Sequence, residues 1–170
     1  MIRQIRLAEL KDKDIIVELL NKVTLYLHKK GINQWVYPWD TDRIKHDIEN
    51  KLVYLLIVED LIVGTFSIKD TDNINVDLIK PENKYLYRIA ILPEYQGKGL
   101  GSSIVEFSLD YSKNMGKSLY LDCWAGNEKL RSFYSNTGFD FIGNAPEEDY
   151  FISVFKSKVV DLYSGGNDIG

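Results

Sequence analysis

Gln96-Gly97-Lys98-Gly99-Leu100-Gly101 places three glycines at alternate positions, between an apolar run and an amphipathic stretch. Residues without a Cβ let the backbone bend sharply and approach a ligand closely. A helix starting here leaves its first N–H groups unpaired and turns the positive end of its dipole outward. The chemistry that such a seat serves is the binding of phosphate groups. A Walker loop requires Gly-x-x-x-x-Gly-Lys followed by Ser or Thr. Lys98 is followed by Gly99 and Leu100, which excludes that loop. A dinucleotide fingerprint is Gly-x-Gly-x-x-Gly set directly at a strand end. Here the spacing is Gly-x-Gly-x-Gly, preceded by Pro93, Glu94, Tyr95 and Gln96, so the dinucleotide reading is disfavoured.

Other reactive residue types are sparse. Cys123 is the single cysteine, which excludes an intramolecular disulfide, and with only two histidines the usual Cys/His zinc clusters are excluded as well. No metal is expected. His28 and His46 fall in the helical N-terminal part and read as surface histidines, and Glu94 reads as a solvated loop residue.

The elements that must position these residues follow from periodicity. Residues 2–7 alternate as a short strand. Asp12 or Asp14 then caps a helix with apolar positions Ile16, Leu19, Leu20, Val23 and Leu27, ending near Gly31. Residues 31–41 form an aromatic-rich loop, and a short helix containing Ile44 and Ile48 starts after Thr41. Strands 53–59 and 62–69 form an antiparallel hairpin through Asp60-Leu61, and residues 70–83 are turn-rich. Strand 85–92 enters the glycine loop, and helix 101–115 leaves it and stops at Gly116. Strand 118–124 follows. Asn127 opens a helix carrying Leu130, Phe133, Tyr134 and Thr137 on one face, and Gly138 stops it. Strands 139–142 and 150–155 flank the acidic turn Glu147-Glu148-Asp149. The order β-α-α-β-β-β-α-β-α-β-β describes a single mixed α/β (α+β) domain over residues 1–156, with a tail, 157–170, that is either disordered or an extra strand.

The 170 residues suffice for one domain with a substantial core. A net charge of −4 argues against a nucleic-acid partner, which normally meets a basic surface. The longest apolar run, Leu52 to Val58, is too short to cross a bilayer, and no apolar leader follows Met1, so no membrane association and a cytoplasmic location are expected.

Two segments carry a specific resemblance. Residues 86–101, Leu-Tyr-Arg-Ile-Ala-Ile-Leu-Pro-Glu-Tyr-Gln-Gly-Lys-Gly-Leu-Gly, resemble the coenzyme-binding segment of the Gcn5-related N-acetyltransferases. That segment ends in Gln/Arg-x-x-Gly-x-Gly/Ala, matched by Gln96, Gly99 and Gly101. Asn127, Phe133-Tyr134 and Gly138-Phe139 resemble a second family segment in order and spacing. The resemblance implies the acyl-CoA N-acyltransferase fold, a mixed and mostly antiparallel central sheet flanked by helices. It implies transfer of acetyl from acetyl-CoA to an amine by direct attack in a ternary complex. The alternative is an acyl-CoA-binding sensor or regulatory module without turnover.

Under this resemblance the N–H groups of Gln96, Gly97, Lys98, Gly99, Leu100 and Gly101, with Ser102 at the opening of the next helix, cradle the pyrophosphate. Lys98 either adds charge or stays a solvated loop lysine. Strands 85–92 and 118–124 splay, and backbone groups of Ile89, Ala90 and Ile91 bind the pantetheine arm; one of their N–H groups could polarise the thioester carbonyl. Asn127 is a helix N-cap by residue type, and the resemblance also sets it against the pantetheine arm. Periodicity alone makes Tyr134 a core residue; the resemblance makes it the proton donor to the departing sulfur. Some family members carry a Glu on the strand entering the glycine loop, but residues 84–88 read Lys-Tyr-Leu-Tyr-Arg here. Asp122 is then a candidate base, or an acid satisfied at a strand end or beside Arg88. Trp35, Tyr37, Trp39, Asp40 and Asp42 either recognise a cationic amine or anchor their loop on the core. Cys123 shares an apolar strand face with Leu119 and Leu121, which disfavours a covalent thiol route. The acceptor is a small-molecule amine or a peptide or protein amine, and the chain is a monomer or homodimer.

Overall fold

The computed structural model describes residues 2–158. Strand β1 (Arg3–Leu7) leads through a 3-10 turn (Leu10–Asp12) into helix α1 (Lys13–Lys29) and then α2 (Thr41–Glu49). Strands β2 (Val53–Val58), β3 (Leu61–Asp70) and β4 (Lys84–Ile91) follow, then helix α3 (Leu100–Asn114) and strand β5 (Leu119–Trp124). Helix α4 (Glu128–Ser135) and strands β6 (Phe139–Glu147) and β7 (Tyr150–Ser157) close the order. The expected succession of elements is the one observed.

The strands form one sheet in the order β1-β2-β3-β4-β5-β7-β6. Each neighbouring pair is antiparallel except β4 and β5. The alternation of side chains along each strand gives the sheet two apolar faces. On one, Leu56, Val58, Phe66, Ile68, Leu86, Leu119 and Leu121 pack against Leu100, Ile104 and Val105 of α3 and Tyr134 of α4. On the other, Val53, Leu55 and Ala90 meet Ile16, Leu19, Leu20 and Val23 of α1 and Ile44 and Ile48 of α2. Farther along that second face, Ile74, Val76, Leu78 and Ile79 of the turn-rich segment cover Tyr120, Ala145, Ile152 and Val154.

Several element ends shift by one residue from the periodic reading, and three differences bear on the sheet. The β2–β3 turn falls on Glu59 and Asp60, both at positive φ, rather than on Asp60-Leu61. Strand β6 continues past Ile142 to Glu147, because pairing with β7 carries Asn144, Ala145 and Pro146 along. Pro146 is tolerated because β6 is an edge strand, whose outer side needs no N–H donor. Ser157, expected to begin the tail, is the last residue of β7, and residues 159–170 lie outside the described residues.

Candidate active site

Strands β4 and β5 part almost as soon as they meet. They pair only at Lys84–Leu119 and Tyr85–Tyr120. A bulge on the other edge of β4 accounts for the divergence. Thr65 pairs with Ala90 and Ser67 with Tyr87, so Arg88 and Ile89 together stand opposite Phe66 alone. A bulge bends its strand and sharpens the local twist. Here it turns Ile89–Ile91 away from β5 and leaves their β5-facing backbone groups without a strand partner.

The bulge is strained and held. Arg88 adopts φ 52°, a conformation unfavourable by about 1–3 kcal/mol for a side chain of this size. Its Nη1 donates to Asp47 Oδ2 of α2 at 2.7 Å, with the two side chains only 7% and 13% exposed. The guanidinium also lies 5.0 Å from the Trp39 ring and 5.3 Å from that of Tyr87. A charge-assisted bond and two cation–π contacts are enough to offset that strain. The partner of Arg88 is therefore Asp47, not Asp122.

The end of β4 runs through a 3-10 turn (Pro93–Tyr95) into the glycine loop. Gly97 and Gly99 take φ 77° and 76°, which side-chain-bearing residues adopt only at a cost. Gly99 is the N-cap of α3, and no side chain caps that end. The N–H groups of Leu100, Gly101 and Ser102 are consequently free to meet an anion. They line a hollow of about 230 Å³ together with Ile91, Tyr95, Gln96, Gly97, Gly99 and Phe133. Gln96 uses its side chain to hold the loop, donating from Nε2 to the Ile91 carbonyl at 2.9 Å. The Lys98 ammonium lies 5.5 Å from the Tyr95 ring centre. The loop has one further partner, Arg3 of β1, whose guanidinium donates to the carbonyls of Lys98 and Gly99.

Where β4 and β5 diverge, four reactive groups gather. The Tyr85 hydroxyl donates to Asp122 Oδ2 across the two strands. Burial pushes the Asp122 carboxyl above the ordinary carboxylate range; the Tyr85 bond and Lys69 oppose that shift, and Glu147 adds to it. Burial likewise holds the Tyr85 hydroxyl well above its usual value, with Asp122 contributing. Tyr134 is buried between Phe133, Phe139 and Phe155. Burial raises its hydroxyl far above the ordinary tyrosine value, and Cys123 and Asp122 add to the effect, so Tyr134 carries its proton at neutral pH. Cys123 is buried and its thiol is pushed up, chiefly by burial, to about 11, which leaves little thiolate. Asn127 caps α4, its Oδ1 accepting from the Leu130 N–H at 3.0 Å, and its amide donors make no hydrogen bond among the described residues.

The aromatic loop before α2 is tied to the core through several of the residues singled out in the sequence. Trp39 donates from Nε1 to Thr24 Oγ1 at 2.8 Å, and its backbone N–H bonds Asn21 Oδ1 at 2.9 Å. Trp35 packs edge-on against Trp39 at 5.6 Å. His28 Nε2 donates to the Trp35 carbonyl at 2.7 Å, so this histidine fastens the loop. Asp40 caps α2 by accepting from the Asp42 N–H at 2.9 Å. Tyr37, 46% exposed, Asp40 and Asp42 are the members of the set that are exposed. His46 bonds Asn50 within and just beyond α2, and Glu94 is exposed. Among the described residues, no group of three or more His, Cys, Asp or Glu side chains could hold a metal ion, and no helix is long and apolar enough to cross a membrane.

The glycine loop, Asn127, Tyr134 and Asp122 are legible in the sequence as site candidates. Arg3, Tyr85 and the Arg88–Asp47 pair are not. A strand bulge at a non-glycine residue leaves no mark in composition, and a contact spanning 95 residues leaves none in local periodicity.

Comparison with known proteins agrees with this geometry. The family model described as Acetyltransferase (GNAT) family matches residues 19–139. An uncharacterized N-acetyltransferase of Bacillus subtilis, YesJ, is 26% identical over 145 residues, covering 80% of this chain and 81% of that protein. The crystal structure of a GNAT-family acetyltransferase from Listeria monocytogenes superposes with a TM-score of 0.78 at 24% identity, over 92% of this chain and 95% of that one. The PaiA N-acetyltransferase of Thermoplasma acidophilum, solved in complex with coenzyme A, gives a TM-score of 0.70 at 16% identity, over 94% of this chain and all (100%) of that one.

Proposed function

Because the chain belongs to the acetyltransferase (GNAT) family, we propose that it moves acetyl from acetyl-CoA to a primary amine by direct attack, with both substrates held together. The observation that carries this reading is the parting of β4 from β5 directly beside an uncapped, glycine-lined helix start. A slot leading to an anion seat suits an extended molecule with an acyl group at one end and phosphates at the other. Acetyl-CoA supplies the activated acetyl group and a thiol leaving group.

The residues divide the work accordingly. N–H groups of the Gln96–Gly101 loop and of Ser102 receive the pyrophosphate, with the Lys98 ammonium at the rim. Backbone groups of Ile89, Ala90 and Ile91 bond the pantetheine arm in place of a strand, and an N–H of this stretch polarises the thioester carbonyl. The Asn127 amide donors hold the arm from the α4 side. Tyr134, protonated in its apolar surroundings, gives its proton to the departing sulfur. Asp122, bonded to Tyr85, takes the proton that the amine must shed before or during attack. The acceptor approaches from the α1–α2 side, past Tyr37, Trp39 and the loop they belong to. Cys123 takes no covalent part, because its thiol is buried and protonated.

A panel of amines assayed by thiol release from acetyl-CoA tests activity and acceptor class together. Tyr134→Phe should lower kcat by about 10²–10⁴-fold, the usual range for a positioned proton donor, while leaving CoA affinity within twofold. Retention of both turnover and affinity would remove Tyr134 from the mechanism. CoA binding without thiol release by any amine would mark a binding module instead.

A further inference from the structure

We propose that Arg3 of β1 is the positioning residue of the anion seat, orienting its N–H groups and so making the site selective for a phosphate-bearing acyl carrier. This rests on the acetyl-CoA reading and assigns a role to a residue outside both family-like segments.

The Arg3 guanidinium donates to the Lys98 carbonyl at 3.1 Å, the Gly99 carbonyl at 3.3 Å and Ser103 Oγ at 2.6 Å. These contacts span the last two peptide groups before α3 and the first turn of α3 itself. In a planar trans peptide the C=O and N–H point in opposite directions. Holding the Lys98 carbonyl toward Arg3 therefore aims the Gly99 N–H away from it, and holding the Gly99 carbonyl aims the Leu100 N–H likewise. Those are the donors that an incoming phosphate needs. The Gly99 carbonyl also accepts the Ser103 N–H of α3 at 3.4 Å, so the helix shares in fixing that peptide, while the Lys98 peptide is held by Arg3. Gly97 and Gly99 sit at positive φ, where glycine has the widest conformational freedom and the most entropy to lose on ordering. No side chain caps α3, and Arg3, a donor only, leaves the first N–H groups of the helix unpaired while it holds the carbonyls behind them. The planar fork of a guanidinium suits two adjacent carbonyls, whereas a lysine ammonium is a point charge on a flexible stem.

The experiment compares CoA with pantetheine, which has the same arm without phosphates. Binding of CoA is measured by calorimetry and that of pantetheine by NMR titration, for the full chain and for Arg3→Ala and Arg3→Lys. Arg3→Ala is expected to weaken CoA binding about tenfold and to leave pantetheine within twofold. Arg3→Lys should behave like Arg3→Ala, because it keeps the charge and loses the fork. Equal weakening of both ligands would reduce Arg3 to general support of the fold and overturn the proposal. So would full recovery in Arg3→Lys, which would reduce the effect to charge, or unchanged CoA binding in Arg3→Ala. Failure of the unsubstituted chain to bind CoA would remove the acetyl-CoA reading and this inference together.

Discussion

Replacing Asp47 by Ala removes the only carboxylate that meets the Arg88 guanidinium among the described residues, across a 2.7 Å contact. The Arg88 side chain is 7% exposed, so water cannot take over its solvation without local opening. Leaving a buried charge uncompensated costs about 3–5 kcal/mol. Against a total stability of about 5–15 kcal/mol, the variant should still fold. At about 2–4 °C per kcal/mol for a chain of this length, its Tm should fall by roughly 10 °C. Arg88 also holds the bulge that parts β4 from β5, so CoA affinity should drop along with stability. A double replacement, Asp47→Leu with Arg88→Met, removes the charge instead of orphaning it. Exchanging a buried pair for apolar residues of similar volume is often neutral or stabilising. The double variant should therefore recover most of the lost Tm while CoA binding stays weak, because nothing then tethers residue 88 to α2. Thermal and urea unfolding give the two stabilities, and calorimetry gives the affinity. A loss below about 1 kcal/mol in Asp47→Ala would refute the reasoning, as would a double variant no more stable than the single one.

Three other outcomes are expected. Asp122→Asn should lower kcat by about 10²–10⁴-fold and remove an acidic limb from the pH–rate profile, one lying above the ordinary carboxylate range because burial raises this group. Its stability should move the other way: with the folded value above the unfolded one, Asp122 costs stability as pH rises through that window, so Asn should match or exceed the natural residue at pH 7. Gly99→Val should weaken CoA binding at least tenfold, since φ 76° disfavours a β-branched residue; the fold should survive, because among the described residues a Cβ there meets only the Arg3 guanidinium at 3.8 Å. Asp12→Asn should cost about 2 kcal/mol at pH 7, a figure moderated by the 31% exposure of Arg6. The hydrogen bonds from Arg6 are the main reason that the Asp12 carboxyl lies below its usual range. That contribution is therefore present above the unfolded value of about 3.9 and is lost as pH falls through the lower folded value, so the two unfolding curves should converge in acid.

Sequence by itself determined what depends on neighbours a few residues apart. Ile16, Leu19, Leu20 and Val23 recur at helical spacing and are the buried face of α1. Leu119, Leu121 and Cys123 alternate and share one face of β5. The Gly97 and Gly99 positions announce left-handed backbone, and Asn127 announces a cap that the structure contains. These signals are legible because helix periodicity, strand alternation, positive φ and capping are all local. The residual misplacements at β6 and at the β2–β3 turn arose where pairing with another strand overrode local preference.

Tertiary structure decided the rest. Nothing near Arg88 in the chain says that Asp47, 41 residues away, will hold it in a strained bulge, yet that bulge opens the slot. Asp122 has no polar partner legible nearby in the chain; only the fold brings Tyr85, 37 residues away, to bond it where two parallel strands diverge. Nothing local says that Trp39 will bond Thr24 and Asn21, 15 and 18 residues away, and so fix the place of the aromatic loop on α1. Arg3 looks like an ordinary strand arginine until the sheet brings it to the glycine loop. The physical reason is common to all four cases: a residue's own chemistry and its near neighbours set what it can do, but burial, strain and charge partners are properties of positions that only folding brings together.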